Sequence, residues 1–158
     1  MHGSEIKNRG VFRLLPLFSF VFLVLLFSSG CEKQPVDHNV VTSKDGAIRV
    51  PVAEVHDGKV HFFTYKGSGK RINFFIRTDG KDNLSACFDA CFTCYKHKKG
   101  YREEGTDLTC NECSMKFRLA DEHWDNSRGC SPITLRSRIE NNEVVIMTTD
   151  LERGQKLF

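Results

Sequence analysis

Val60-His-Phe-Phe-Thr-Tyr-Lys66 and Ile72-Asn-Phe-Phe-Ile-Arg77, joined through Gly67-Ser68-Gly69, decide the fold class. Ile72, Phe74 and Ile76 alternate with Asn73, Phe75 and Arg77, and this period of two is the pattern of a half-buried β-strand. Val50–His56 reads as an earlier strand, separated from Val60–Lys66 by Asp57-Gly58, a hairpin-type turn pair. Asp79-Gly80 punctuates the next turn. Later, Ile133, Leu135, Ser137 and Ile139 lie two apart, and Glu140-Asn141-Asn142 turns the chain into Val144-Val-Ile-Met147. Thr149-Asp-Leu-Glu152 has the spacing of a capping box and predicts a short final helix. No stretch carries helical periodicity over three turns. The reading is a mainly β protein: a small antiparallel β domain over 48–158, with an irregular, cysteine-rich metal-binding region over 87–130. Phe62, Phe63, Phe74 and Phe75 are assigned to core and sheet face.

Composition agrees with a globular domain. The 158 residues are 40% hydrophobic and 27% charged, with 23 Lys+Arg against 20 Asp+Glu. That balance argues against disorder, coiled coil and a polytopic membrane protein. Setting aside Lys7, Arg9 and Arg13 on one side and Glu5 on the other, 20 bases face 19 acids from residue 31 onward. Such a neutral domain has no electrostatic reason to bind nucleic acid.

Those first residues read as an address. A basic start is followed by the apolar run Leu14–Phe27 and by Ser28-Ser29-Gly30-Cys31. The run is shorter than the roughly 20 residues of a spanning helix. Residues 1–30 are therefore read as a lipoprotein-type signal peptide, because Cys31 after Ser-Ser-Gly resembles a lipobox whose thiol is acylated. Residues 31–47 are polar and weakly periodic, and read as a flexible tether holding the domain off a membrane. This places the domain on the extracytoplasmic face of a bacterial cell envelope. His38, His56 and His97 read as solvated, as do Asp89, Glu103, Glu104 and Asp107.

The chemistry lies in the cysteines, six of which follow the spacing Cys87-x3-Cys91-x2-Cys94-x15-Cys110-x2-Cys113-x16-Cys130. Each C-x2-C turn aims two sulfurs at one point, so Cys91, Cys94, Cys110 and Cys113 supply four soft donors to one centre. Thiolates suit zinc or an iron–sulfur cluster and disfavour magnesium and calcium. Two other readings stand beside this one. Exported domains commonly use cysteine for disulfides, and Cys91-Phe-Thr-Cys94 has thioredoxin-type spacing without the βαβ setting. Spacing does not choose between zinc and iron.

Three segments carry a family resemblance. They are Phe88-Asp-Ala-Cys-Phe-Thr-Cys-Tyr-Lys-His-Lys-Lys-Gly-Tyr-Arg-Glu-Glu-Gly105, Cys110-Asn-Glu-Cys-Ser-Met-Lys-Phe117, and Gly129-Cys130-Ser-Pro132 with Leu135. Together they resemble the FtrD-like membrane iron–sulfur proteins of bacterial iron-uptake systems. The resemblance implies electron transfer through an iron–sulfur cluster on Cys91, Cys94, Cys110 and Cys113. It also implies an iron permease or a periplasmic cupredoxin-like oxidase as partner. It leaves Cys87 and Cys130 as a disulfide clasp or, alternatively, Cys130 as a further ligand. The order of strands, two cysteine loops and Gly-Cys-Ser-Pro follows a Rieske domain in layout, although His97 and His123 do not stand at the ligand positions. Lys96, Lys98 and Lys99 place positive charge near the sulfurs, and Tyr101 and Trp124 are positioned to shield them. The contrasting reading is a zinc-ribbon or disulfide-stapled lipoprotein that serves as an interaction module. No catalytic acid, base or nucleophile is assigned.

Overall fold

The structure, a computed structural model, describes residues 36–67, 69–124 and 129–158. The signal segment 1–30 and the lipidation candidate Cys31 lie outside these residues. No helix among the described residues is long and apolar enough to cross a membrane.

The strands are β1 (Asn39–Val41), β2 (Ala47–Pro51), β3 (Val60–Lys66), β4 (Arg71–Thr78), β5 (Leu84–Cys91), β6 (Tyr101–Glu104), β7 (Asp107–Cys110), β8 (Lys116–Arg118), β9 (Pro132–Leu135), β10 (Arg138–Glu140) and β11 (Glu143–Met147). Two short helices, α1 (Val52–Val55) and α2 (Thr148–Arg153), complete the regular structure with 3₁₀ turns at Tyr95–His97 and Gln155–Leu157. A five-stranded sheet in the order β1-β3-β4-β5-β9 is flanked by the sheets β10-β11-β2 and β6-β7-β8. The protein is mainly β, as the alternation predicts. Every pairing is antiparallel except β1 with β3, which is parallel.

The central sheet is covered on both faces. Phe63, Ile72, Phe74, Ile76 and Phe88 pack with Ile48, Val50, Val144 and Ile146 in one core. Phe62, Phe75, Cys87 and Cys91 pack with Tyr101, Leu108, Cys110 and Phe117 in the other. The strand β4, read from sequence as half-buried, is therefore buried on both sides. Phe74 and Phe75 are each 0% exposed although they point in opposite directions. Arg77 shares the second face at 3% exposure. Its guanidinium donates to the carbonyls of Leu119 at 2.7 Å and Glu122 at 3.2 Å, and lies 4.0 Å from the Trp124 ring centre. Hydrogen bonding and cation–π contact offset the desolvation of this cation.

Several local expectations are revised. The strand read over Val50–His56 ends at Pro51, and α1 follows, because proline offers no N–H to a ladder. Asp57-Gly58 consequently joins α1 to β3 and does not close a hairpin; β2 pairs instead with β11. The tether read over 31–47 is interrupted by β1, whose Asn39 and Val41 stand opposite Phe63 and Tyr65. Three residues at a sheet edge are too short to leave a periodic signature. The final helix forms as expected, but its first turn has no side-chain cap. The region 87–130, expected to be irregular, contains the whole β6-β7-β8 sheet. Its strands hide behind the charge-rich Tyr101-Arg-Glu-Glu-Gly-Thr-Asp107, in which Gly105 takes a left-handed φ of 64° at the turn.

Candidate metal centre

Cys91 ends β5, and Cys110 ends β7. After Cys91 the chain turns back on itself, with the Cys94 N–H donating to the Cys91 carbonyl at 3.1 Å and the His97 N–H to the Cys94 carbonyl at 3.0 Å. After Cys110 a second turn forms, in which the Ser114 N–H donates to the Cys110 carbonyl at 3.0 Å and the Cys110 N–H to the Met115 carbonyl at 2.9 Å. Ser114 adopts a left-handed φ of 59°, which lets the chain reverse directly after Cys113. The two turns point at each other. The sulfurs of Cys91, Cys94, Cys110 and Cys113 all lie within 4.8 Å of one another.

The turns are held in register by neighbours from both sheets. The Asp89 carboxylate accepts the Tyr101 N–H at 2.7 Å, and Tyr101 stands opposite Cys110 in the β6–β7 ladder. The Asn111 N–H donates to the Gly100 carbonyl at 3.0 Å, while its side chain donates to the Lys99 carbonyl at 2.8 Å. Gly100 is required here for two reasons. Its φ is 60°, and a Cβ would sit 2.4 Å from an Asp89 oxygen. Lys99 reaches Glu112 at 2.6 Å and so joins the two loops through an ion pair at the surface.

Burial grades across the four cysteines. Cys91 and Cys110 are 2% and 1% exposed, Cys94 is half-buried and Cys113 is exposed. Burial, together with the adjacent thiols, pushes Cys94 well above the usual thiol range and Cys110 to about 11. Cys113 moves the other way: despite the opposing effect of burial, the Met115 N–H and the Cys110, Cys130 and Cys94 thiols hold it below the usual range. Four thiolates this close repel one another and cannot all form without a cation. A bound metal ion would supply that cation and draw the protons off all four sulfurs.

Cys130 interacts with the Cys113 thiol and with the side chain of Thr93, whose hydroxyl donates to the Gly129 carbonyl. It therefore sits beside the four-sulfur group without being one of its four members. Cys87 is 6% exposed on β5, opposite Thr134 and Phe75. Burial pushes its thiol up to about 12. Both Cys87 and Cys130 are free thiols in the structure.

Three residues read as solvated have structural roles. Asp89 is 7% exposed and also binds His38, whose Nε2 lies 2.9 Å from the carboxylate. His38 is thus tied down by Asp89 on one side and by the Val36 carbonyl, 2.9 Å from its Nδ1, on the other. Glu103 accepts the Val60 N–H at 2.8 Å. Nothing local in the sequence marks the His38–Asp89 and Val60–Glu103 contacts, which join residues 51 and 43 positions apart. His97 remains exposed beside Glu112. Tyr101 is fully buried, and its hydroxyl, which lacks an oxygen or nitrogen partner, faces the Cys91 and Cys110 thiols. Trp124 covers Phe75 and Phe117 at ring-centre distances of 6.4 and 5.6 Å. The shielding expected of Tyr101 is direct, whereas Trp124 acts one layer further out.

No curated protein and no solved structure matches the chain. The family described as membrane iron-sulfur containing protein, FtrD-like, matches residues 55–158, about two thirds of the chain and all of both cysteine turns. The converging sulfurs and this match agree, and the chain belongs to the FtrD-like family of membrane iron–sulfur proteins.

Proposed function

We propose that the protein is an envelope-exposed electron carrier accessory to bacterial iron uptake, tethered to a membrane through acylated Cys31 after removal of residues 1–30. The observation that carries this reading is the convergence of Cys91, Cys94, Cys110 and Cys113 within 4.8 Å in a chain of an iron–sulfur family. Four thiolates are a donor set that iron accepts and hard cations do not. When bound, thiolate-ligated iron supplies a one-electron couple at low potential.

The surrounding residues suit that task. Tyr101, Phe75 and Phe117 keep water from the buried side of the sulfurs, which limits reorganisation around a changing charge. Cys113, at the exposed corner, brings the centre to the surface where a partner docks. Lys99, paired with Glu112, stiffens the loops around it. An iron permease or a cupredoxin-like oxidase is the partner class that fits a carrier in this setting.

Anaerobic purification followed by visible absorption and metal analysis tests the proposal. Charge-transfer bands that bleach with dithionite support it. A colourless protein holding zinc identifies a structural ribbon instead, and an unmetallated protein with its cysteines bonded to one another identifies a disulfide-stapled interaction module.

A further inference from the structure

We infer that the four cysteines enclose a single metal ion with no bridging sulfide. The inference rests on the reading of Cys91, Cys94, Cys110 and Cys113 as metal ligands and deepens it. Four thiolates arranged tetrahedrally at a metal–sulfur distance of about 2.3 Å stand about 3.8 Å apart. Across a two-iron or four-iron cluster, thiolates on different irons stand roughly 6 Å apart, because iron and sulfide occupy the space between them. Every sulfur pair here lies within 4.8 Å. That spacing accommodates one ion and is too narrow for the diagonal of a cluster.

The narrowness is built into the surroundings. Opening the site to cluster dimensions means moving the Cys91 turn away from the Cys110 turn. The Asp89 bond to the Tyr101 N–H at 2.7 Å fixes β5 to β6, and the pairing of Tyr101 with Cys110 fixes β6 to β7. The Asn111 N–H bond to Gly100 at 3.0 Å and the Arg102 donation to the Asn111 side chain at 2.8 Å hold the Cys110 turn to the start of β6. Cys91 and Cys110 both sit in a packed core with Phe75, Leu108 and Phe117. Separation therefore breaks the buried Asp89–Tyr101 bond and a packed core, and not merely a loop.

The test offers both alternatives to the protein. The detergent-extracted full chain is stripped of metal, reduced anaerobically and reconstituted with excess ferrous iron and sulfide. Iron and acid-labile sulfide are then counted per chain, with Mössbauer spectra of ⁵⁷Fe-loaded protein and a parallel cobalt(II) titration. One iron per chain without sulfide, and cobalt saturating at one equivalent with tetrahedral thiolate bands, is the expected result. Two or four irons with matching sulfide overturn the single-ion inference and leave the carrier reading intact. One iron that ferricyanide cannot oxidise to a form dithionite reduces back supports the inference and overturns the carrier reading. Failure to bind either iron or cobalt overturns both.

Discussion

The Asp89 carboxylate accepts the Tyr101 N–H at 2.7 Å, joining the strand that ends in Cys91 to the strand that faces Cys110. One side chain thereby sets the separation between the two halves of a four-sulfur group that are distant in sequence. Asp89→Ala leaves a buried N–H without an acceptor and releases His38, at a cost of about 1–3 kcal/mol. The expected outcome is a lower midpoint in chemical unfolding and weaker metal retention against a chelator. Unchanged retention together with unchanged stability rules out this positioning role.

Tyr101 acts on the same centre through a different atom. Its hydroxyl is buried, lacks an oxygen or nitrogen partner and faces the Cys91 thiol. Once Cys91 is a thiolate, that hydroxyl becomes a hydrogen-bond donor to a charged sulfur. Tyr101→Phe conserves the ring that fills the core with Phe75 and Phe117. Stability is expected to stay within about 1 kcal/mol of wild type, because no strong neutral hydrogen bond is lost. The thiolate-to-metal absorption and the midpoint of a redox titration should both shift. Identical spectra and midpoints in the two proteins would show that the hydroxyl does not reach the sulfur.

The six described cysteines divide into two groups that substitution separates. Cys110→Ser and Cys113→Ser each remove one of four converging sulfurs, and metal content should fall to background. Cys87 stands among Phe62, Phe75 and Leu108 in the second core and is not one of the four converging sulfurs. Cys87→Ser buries a hydroxyl in place of a thiol, costing about 1–3 kcal/mol, while metal content stays at the wild-type level. Cys130→Ser should likewise retain the metal, with a faster loss to chelator because the neighbour of exposed Cys113 is changed. Metal analysis of the purified variants decides each case.

The residues that carry this centre were legible in sequence to very different degrees. The paired C-x2-C turns state the convergence of four sulfurs locally, since each turn needs only its own backbone hydrogen bonds to aim two side chains. The strand β4 was legible as a strand, but its burial on both faces was not. Arg77 reads as a solvent-facing polar position until Leu119, Glu122 and Trp124 fold over it from more than forty residues away. Asp89 was misread for the same reason. Its contacts to Tyr101 and His38 lie 12 and 51 residues away, and its own sequence surroundings do not show them. The β6-β7-β8 sheet shows no period in sequence because strands of three or four residues bearing charges carry too few apolar positions.

Glu104 gives the fold a defined response to acid. Its carboxylate takes hydrogen bonds from Arg102, Lys116 and Thr109, which hold it down at about 2 against an ordinary value of 4.5. A carboxyl whose folded value lies below its unfolded value stabilises the fold in its charged form. The contribution is complete above about pH 4.5, falls as pH drops and is gone near pH 2. Glu104→Gln removes this dependence, so the wild type and the variant should differ in unfolding midpoint at pH 6 and converge toward pH 2. Because the carboxylate is partly exposed to solvent, salt should narrow the difference at pH 6. A gap between the two proteins that stays constant from pH 6 to pH 2 would mean that the Arg102–Glu104–Lys116 cluster on the β6-β7-β8 sheet does not act through charge.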